Sequence, residues 1–261
     1  MHVLTVAGRR YAQWPHMREQ PGLCHAFSTR PENLSPRSGP DEEERAARRG
    51  QMTADWGLSA DRLHHCQQVH ETRIALVTEA GPAAELTGCD AVVTTVPRLP
   101  LMAFSADCPL LLVYDPRRRA LGLVHASWRC TVGQLVRRLV ELLVTRCGSV
   151  PSDLLAAIGP GAGPCCYEVQ DDVYAAAVDL PQRNELFRRR EGRMFFDLWR
   201  ANHALLCEAG VRADNIEAAG VCTMCRNDLF FSYRREGRGC SHFALLAALR
   251  EEPADDGECV P

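Results

Sequence analysis

Between residues 64 and 124 the apolar positions come in short, β-branched runs rather than at helical spacing. The runs fall at 64–69, 72–77, 91–96, 101–104, 110–114 and 121–124, each bounded by turn residues, with no useful helical pattern between them. A doubly wound fold would alternate strand with helix, so this pattern predicts an α+β fold with mixed or antiparallel sheets. The clearest helix is 132–146, where Val132, Leu135, Val136, Leu139, Val140 and Leu143 form one core-facing stripe. Thr131 precedes it as a candidate N-cap. Further helices are expected at 171–178, 198–209 and 241–250. The stretch 31–44, rich in Pro, Ser and acid, reads as a surface loop entering a helix near Asp41, and 251–261 reads as an acidic, frayed tail. No linker interrupts the chain between Arg62 and Leu249, which favours one domain over residues 1–250.

Composition narrows the class. The chain has 261 residues, 46% hydrophobic and 24% charged, with a formal charge of −3. Those fractions argue against wholesale disorder, and the near-neutral charge argues against nucleic acid or an anionic membrane as the main partner. No apolar run approaches the ~18 residues of a membrane span, and the first eleven residues lack the apolar stretch of an export signal, so a cytoplasmic location is expected. The anomaly is thirteen cysteines, an odd number. In a reducing compartment thiols matter for metals or catalysis rather than for cross-links.

Three potential ligands stand at or near the ends of apolar strands: His70, Cys108 and His125. Two imidazoles and a thiolate form a set that zinc accepts, with a fourth position left for water or substrate. Taken singly, each histidine reads more readily as a satisfied strand residue and Cys108 as packing. The run Ala126-Ser127-Trp128-Arg129-Cys130-Thr131 adds weight, because it turns from a strand into the strong helix. A helix N-terminus with Arg129 beside it suits phosphate or carboxylate, although a surface arginine with Trp128 covering a sheet edge fits the same segment. Gly159-Pro160-Gly161-Ala162-Gly163-Pro164 is a backbone-exposing turn, either for close approach to a ligand or as a structural crossover. Cys165 and Cys166 follow it; if extended they point to opposite faces, which argues against joint ligation of one ion. Cys222-Thr223-Met224-Cys225 is a lone CxxC without a second pair at zinc-ribbon distance, so a packing role is favoured, with redox sensitivity the lesser alternative. Residues 230–235 (FFSYRR) read as a half-buried strand carrying two guanidinium groups, which suits either an anion pocket or a solvated edge.

In order along nearly the whole chain, these segments resemble the purine nucleoside phosphorylase family of YfiH type, also labelled multicopper polyphenol oxidase or laccase-domain protein. The match runs through HAFSTR (25–30), QQVH (67–70), CDAVVT (89–94), SADCPLLLVYDP (105–116), VHASWR (124–129), IGPGAGPCCYEV (158–169), DLW (197–199) and FFSYRR (230–235). The resemblance implies a compact sandwich of two mixed sheets flanked by helices, forming a single catalytic domain. It implies that His70, Cys108 and His125 are both catalytic residues and ligands to zinc, with copper as the alternative ion. Arg30 would stand at the mouth of the pocket, and Arg129 with Arg30 would grip phosphate. Asp107 would orient a ligand, relay a proton or cap the turn before Pro109. The implied reactions are phosphorolysis of adenosine, inosine, guanosine and methylthioadenosine, and deamination of adenosine. Purine nucleosides and phosphate would be the partners of a monomer or weak homodimer.

Rival readings are a copper-dependent polyphenol oxidase and a hydrolase editing cell-wall precursors. Nine histidines without one His-x-His pair argue against a full multicopper set. The chain departs from the family pattern at Ser127 and Cys130, which replace two glycines of HAGWRG, and at Cys225, an extra thiol. If either glycine position requires a positive φ, the replacement costs strain.

Overall fold

The central apolar runs are strands buried on both faces, which is why they read as runs and not as alternation. In Leu110–Asp115, Leu110, Leu112 and Tyr114 join one apolar cluster while Leu111 and Val113 join another. Ala120–His125 divides in the same way, Leu121 and Leu123 against Ala120 and Val124. The computed structural model describes residues 1–37 and 41–251. The tail beyond Glu251 and residues 38–40 of the 31–44 loop therefore lie outside the described residues.

One sheet has seven strands: β1 (His2–Val6), β2 (Arg9–Gln13), β3 (Leu23–Ser28), β4 (His64–Cys66), β6 (Ala84–Leu86), β8 (Leu101–Ser105) and β16 (Phe243–Leu249), in the order β1-β2-β3-β16-β8-β4-β6. The other has six: β5 (Ile74–Val77), β7 (Ala91–Thr94), β9 (Leu110–Asp115), β10 (Ala120–His125), β11 (Leu155–Ile158) and β15 (Ile216–Ala218), in the order β15-β11-β9-β10-β7-β5. A small third sheet joins β12 (Glu168–Val169), β13 (Phe187–Arg190) and β14 (Arg193–Phe196). Phe27, Leu101, Leu245, Leu112 and Leu121 fill the layer between the two large sheets. The chain is thus an α+β sandwich of two mixed sheets, as expected.

The helices are α1 (Pro15–Arg18), α2 (Glu42–Asp55), α3 (Trp128–Val132), α4 (Leu135–Cys147), α5 (Asp171–Ala176), α6 (Arg183–Leu186), α7 (Leu198–Glu208) and α8 (Tyr233–Glu236). Met52 of α2 packs with Phe104 and Leu246 on the outer face of the seven-stranded sheet. Asp41 caps α2, accepting from the amides of Glu43 and Glu44. Leu139 and Leu143 of α4 and Leu205 of α7 cover the six-stranded sheet. A Cβ at Gly122 would lie 2.8 Å from Leu139, so this helix needs glycine beneath it. Among the described residues no helix is long and apolar enough to cross a membrane.

Three local expectations are corrected. The helix expected at 132–146 is two helices: Val132 ends α3, and the stripe from Leu135 to Leu143 belongs to α4. Gly133 and a left-handed Gln134 separate them, so Thr131 lies inside α3 and caps nothing. Residues 241–250 contain the strand β16, not a helix. Its seven residues, FALLAAL, are buried on both faces, and such a run carries no helix-or-strand period. Residues 230–235 are no strand either: Phe230 and Phe231 are buried ahead of α8, and Ser232 caps that helix.

Candidate active site

Strand pairing explains why residues distant in sequence meet. β4 and β8 run parallel, so the residues that follow them, His70 and Cys108, emerge at the same end of the sheet. β9 and β10 are antiparallel with His125 opposite Leu110, which sets the end of β10 beside the start of β9, and the Ala126 amide donates to the Pro109 carbonyl at 2.9 Å. The candidate ligand atoms of His70, Cys108 and His125 consequently lie within 4.8 Å of one another. The two imidazole rings meet edge to face with centroids 4.9 Å apart.

The loop carrying His70 is fastened at both ends. Gln68 mimics a strand: its side-chain amide donates to the Phe104 carbonyl and accepts from the Phe104 amide, both at 2.8 Å. His70 then adopts a φ of 62°, a left-handed conformation that a non-glycine residue holds only when its surroundings fix it. Asp90 does the fixing. Its carboxylate accepts from the amides of Val69, His70 and Glu71 at 2.9–3.1 Å, and also from His125 Nδ1 at 2.8 Å. Asp90 just precedes β7, whose pairing with β10 places Ala91 across from Val124, so the carboxylate faces the histidine by register. Burial alone would raise the Asp90 pKa; the bonds from His125 and from the loop amides outweigh it and hold it below the usual carboxylate value. The bond to Asp90 protonates His125 at Nδ1 and leaves the Nε2 lone pair free as a ligand. Burial pushes the Cys108 thiol well above the ordinary range, with Cys130, Asp107 and Asp90 adding to the shift.

A cavity of about 510 Å³ opens over these groups, within the range of ligand pockets. Phe104, Trp128, Tyr167 and Tyr233 give it aromatic walls, and Arg37, Arg129 and Arg234 supply cationic ones. Arg129 lies over the Trp128 ring at 4.3 Å and makes no ion pair among the described residues. Arg234 donates to the Glu168 carbonyl at 2.9 Å. His242 also lines the cavity; burial, then the nearby His125 and His70, lower its pKa to about 4. Its buried Nδ1 has no hydrogen-bond partner among the described residues, a deficit that a ligand can satisfy.

The remaining expected site residues separate. Asp107 lines the cavity, but its oxygens are engaged with Thr223 Oγ1 at 2.6 Å and the Arg234 amide at 2.7 Å. Burial raises its pKa despite those bonds. Arg30 is not part of the lining: its guanidinium stacks on Phe231 at 4.2 Å and pairs with Glu236. The anion site expected at the start of a long helix is instead a five-residue turn of helix, α3. Ser127 has a φ of −61° and caps α3, and Cys130 lies inside the helix, so neither departure from glycine strains the backbone. Ser127 Oγ contacts Cys130 Sγ at 2.9 Å, which makes the two replacements one local unit. Asp90, Arg37, Arg234 and His242 were not assigned roles from sequence. Asp90 and Arg234 carried a signal, their places in the CDAVVT and FFSYRR segments.

A family model described as multi-copper polyphenol oxidoreductase laccase matches residues 23–250. A purine nucleoside phosphorylase of Bacteroides thetaiotaomicron is 35% identical over 218 residues, covering 78% of this chain and 80% of the relative. The adenosine deaminase RL5 of an unknown prokaryotic organism is 34% identical, covering 69% of this chain and 72% of that protein. Among solved structures, YlmD from Geobacillus stearothermophilus superposes with a TM-score of 0.86 at 29% identity, over 95% of this chain and 99% of the other.

Proposed function

The chain belongs to the multi-copper polyphenol oxidoreductase laccase family, and from that premise we propose that it is a zinc-dependent enzyme of purine nucleosides. Its reactions are phosphorolysis of adenosine, inosine, guanosine and methylthioadenosine, and deamination of adenosine. One observation carries the reading: His70, Cys108 and His125 converge within 4.8 Å on a cavity that Arg129 also lines. The substrate class comes from the relatives, one named a purine nucleoside phosphorylase and another an adenosine deaminase.

The donor set suits zinc, with two imidazoles, one thiolate and a side open to the cavity. When bound there, zinc supplies a Lewis acid that acidifies water and polarises substrate near neutral pH. Copper accepts the same donors. A multi-copper cluster needs more imidazoles, and no ligand group among the described residues gathers more than two histidines.

In phosphorolysis a phosphate oxygen bonds to ribose C1′ as the C1′–N9 bond breaks. The purine leaves with the bonding electrons and takes up a proton. Arg129 holds the phosphate, and Arg234, which lines the same cavity, adds positive potential, whereas Arg37 is paired with Glu85 at 2.8 Å. Trp128 and Tyr167 offer aromatic surface to the purine. Asp90 fixes His125 in the ligating tautomer. Asp107 works by position, anchoring the start of α8, from which Arg234 projects. Arg30 acts at one remove: Glu236, its ionic partner, accepts from the Ser232 amide at 2.8 Å and so steadies the same turn. On this reading the enzyme works in the cytoplasm on small molecules, with neither nucleic acid nor membrane as partner, as a monomer or weak homodimer.

The test is metal analysis combined with phosphate-dependent release of adenine from adenosine. His70→Ala, Cys108→Ala and His125→Ala should each lower turnover at least about a thousandfold and reduce bound metal. Unchanged turnover in all three would overturn the site.

A further inference from the structure

The structure brings together the two cysteine pairs that sequence spacing keeps apart. Residues 164–166 form a turn, not an extended strand, with the Cys166 and Tyr167 amides both donating to the Gly163 carbonyl at 2.9 and 2.8 Å. The turn removes the opposite-face geometry expected of Cys165 and Cys166 and directs both thiols toward Cys225. Their Sγ atoms lie 3.6 and 3.5 Å from that of Cys225. With Cys222, all four sulfurs fall within 4.8 Å of one another. The CxxC is therefore not alone, because a distant loop supplies its second pair.

We propose that Cys165, Cys166, Cys222 and Cys225 form a second metal site, a closed four-thiolate site for zinc that joins the 159–168 loop to the 221–226 loop. A tetrahedral zinc with bonds of about 2.3 Å holds its sulfurs about 3.8 Å apart, close to the spacing observed. A disulfide requires about 2.0 Å, and none of the twelve described cysteines is paired. Binding replaces four thiol protons by one dication and leaves the site with two negative charges.

The surroundings suit that charge. The Gly163 amide donates to Cys222 Sγ at 3.3 Å. Arg190 donates to the carbonyls of Pro164 and Cys165 at 2.9 and 3.0 Å, and Arg235 to that of Met224 at 2.7 Å, so two guanidinium groups are tied to the ligand loops. Cys165 and Cys225 are exposed, which gives an ion a way in, while Cys222 is buried. The two loops already meet elsewhere, through the Gly161–Cys222 bridge and the Thr223 amide bonding to Gly161. A Cβ at Gly163 would lie 2.5 Å from the Trp199 ring, which leaves no room for a larger residue ahead of the cysteines. With four protein donors and no open position, the site is structural.

The test compares zinc content in wild type, Cys225→Ala, His70→Ala and the double variant, each grown with zinc. Cys225→Ala should lose one zinc per chain whether or not His70 holds another, and the double variant should hold none. Equal zinc in wild type and Cys225→Ala would overturn the proposal, and that result is independent of the outcome at His70. Two further measurements do not depend on the folding of Cys225→Ala. In the native wild type, Cys165 and Cys225 should resist iodoacetamide until a strong chelator is added. In a Cys108→Ala background, cobalt(II) should still give the intense sulfur-to-cobalt charge-transfer bands of a thiolate site. Chelator-independent labelling, absence of those bands, or an intact mass lower by the hydrogens of a disulfide would overturn it.

Discussion

Two separate clusters of soft ligands stand out among the described residues, and they are built in opposite ways. His70, Cys108 and His125 sit at the ends of strands from both large sheets, are oriented by a buried carboxylate, and face a cavity. Cys165, Cys166, Cys222 and Cys225 sit on turns beside the Gly163 amide and arginine-bound carbonyls, with their sulfurs within 4.8 Å of one another. The first arrangement spends three donors and leaves one direction for chemistry; the second spends four and leaves none. Sheet register brings distant residues to one point with an open side, whereas paired turns fold their donors inward.

Metal removal should separate the two most sharply. As a chelator is titrated, phosphate-dependent purine release should fall about a thousandfold before Cys165 and Cys225 become open to alkylation, because three donors hold an ion less firmly than four thiolates. Simultaneous loss, followed by parallel activity and labelling measurements, would erase the distinction. Asp90→Asn attacks the open site alone. It keeps an acceptor for the loop amides but loses the carboxylate that fixes His125, so metal affinity or activity should fall about 10–100-fold while the four thiols keep their protection. Arg129→Ala should raise the KM for phosphate about tenfold and leave adenosine deamination unchanged; equal loss of both reactions in steady-state assays would remove its specific role.

The smallest effect lies away from both clusters, at the pair of Arg9 and Asp55. Arg9 donates to Asp55 at 2.7 Å and Tyr11 adds a bond at 2.6 Å; these bonds, against the opposing effect of burial, hold the Asp55 pKa below its ordinary value. A depressed carboxylate stabilises the fold above its unfolded pKa of about 3.9, and that contribution is lost as pH falls through the folded value. Denaturant melts of Asp55→Asn should therefore show lower stability at pH 7 and a shallower decline below pH ~4 than wild type, with both clusters intact.

Much of this was legible in the sequence where residues act locally. The stripe from Leu135 to Leu143, the helix start near Asp41 and the apolar runs of β7 to β10 are read directly, because each is set by its own side chains. From the residues alone the convergence of His70, Cys108 and His125 was visible only as three strand ends, and the resemblance supplied the common site; parallel and antiparallel pairing explains it. Asp90 stayed without a role because its function depends on a loop that crosses from another strand. The four-thiol cluster was hidden for a related reason: the Cys165-Cys166 pair curls only in a turn that Gly163 organises. The helix expected at 241–250 failed on periodicity, since a strand buried on both faces and a buried helix spell the same apolar word.

The position of β16 has a further consequence, for folding order. This strand lies between β3 and β8 in the seven-stranded sheet, with Leu249 opposite Leu23 and Phe243 opposite Ser105. Until a growing chain has supplied Phe243 to Leu249, the sheet exists as two fragments, each presenting an unpaired edge. Contact order is high at this seam, so closure is slow compared with the local hairpins. During that interval the open edges of β3 and β8 can accept a strand from another copy as readily as their own, and chaperone demand should peak just before the seam closes.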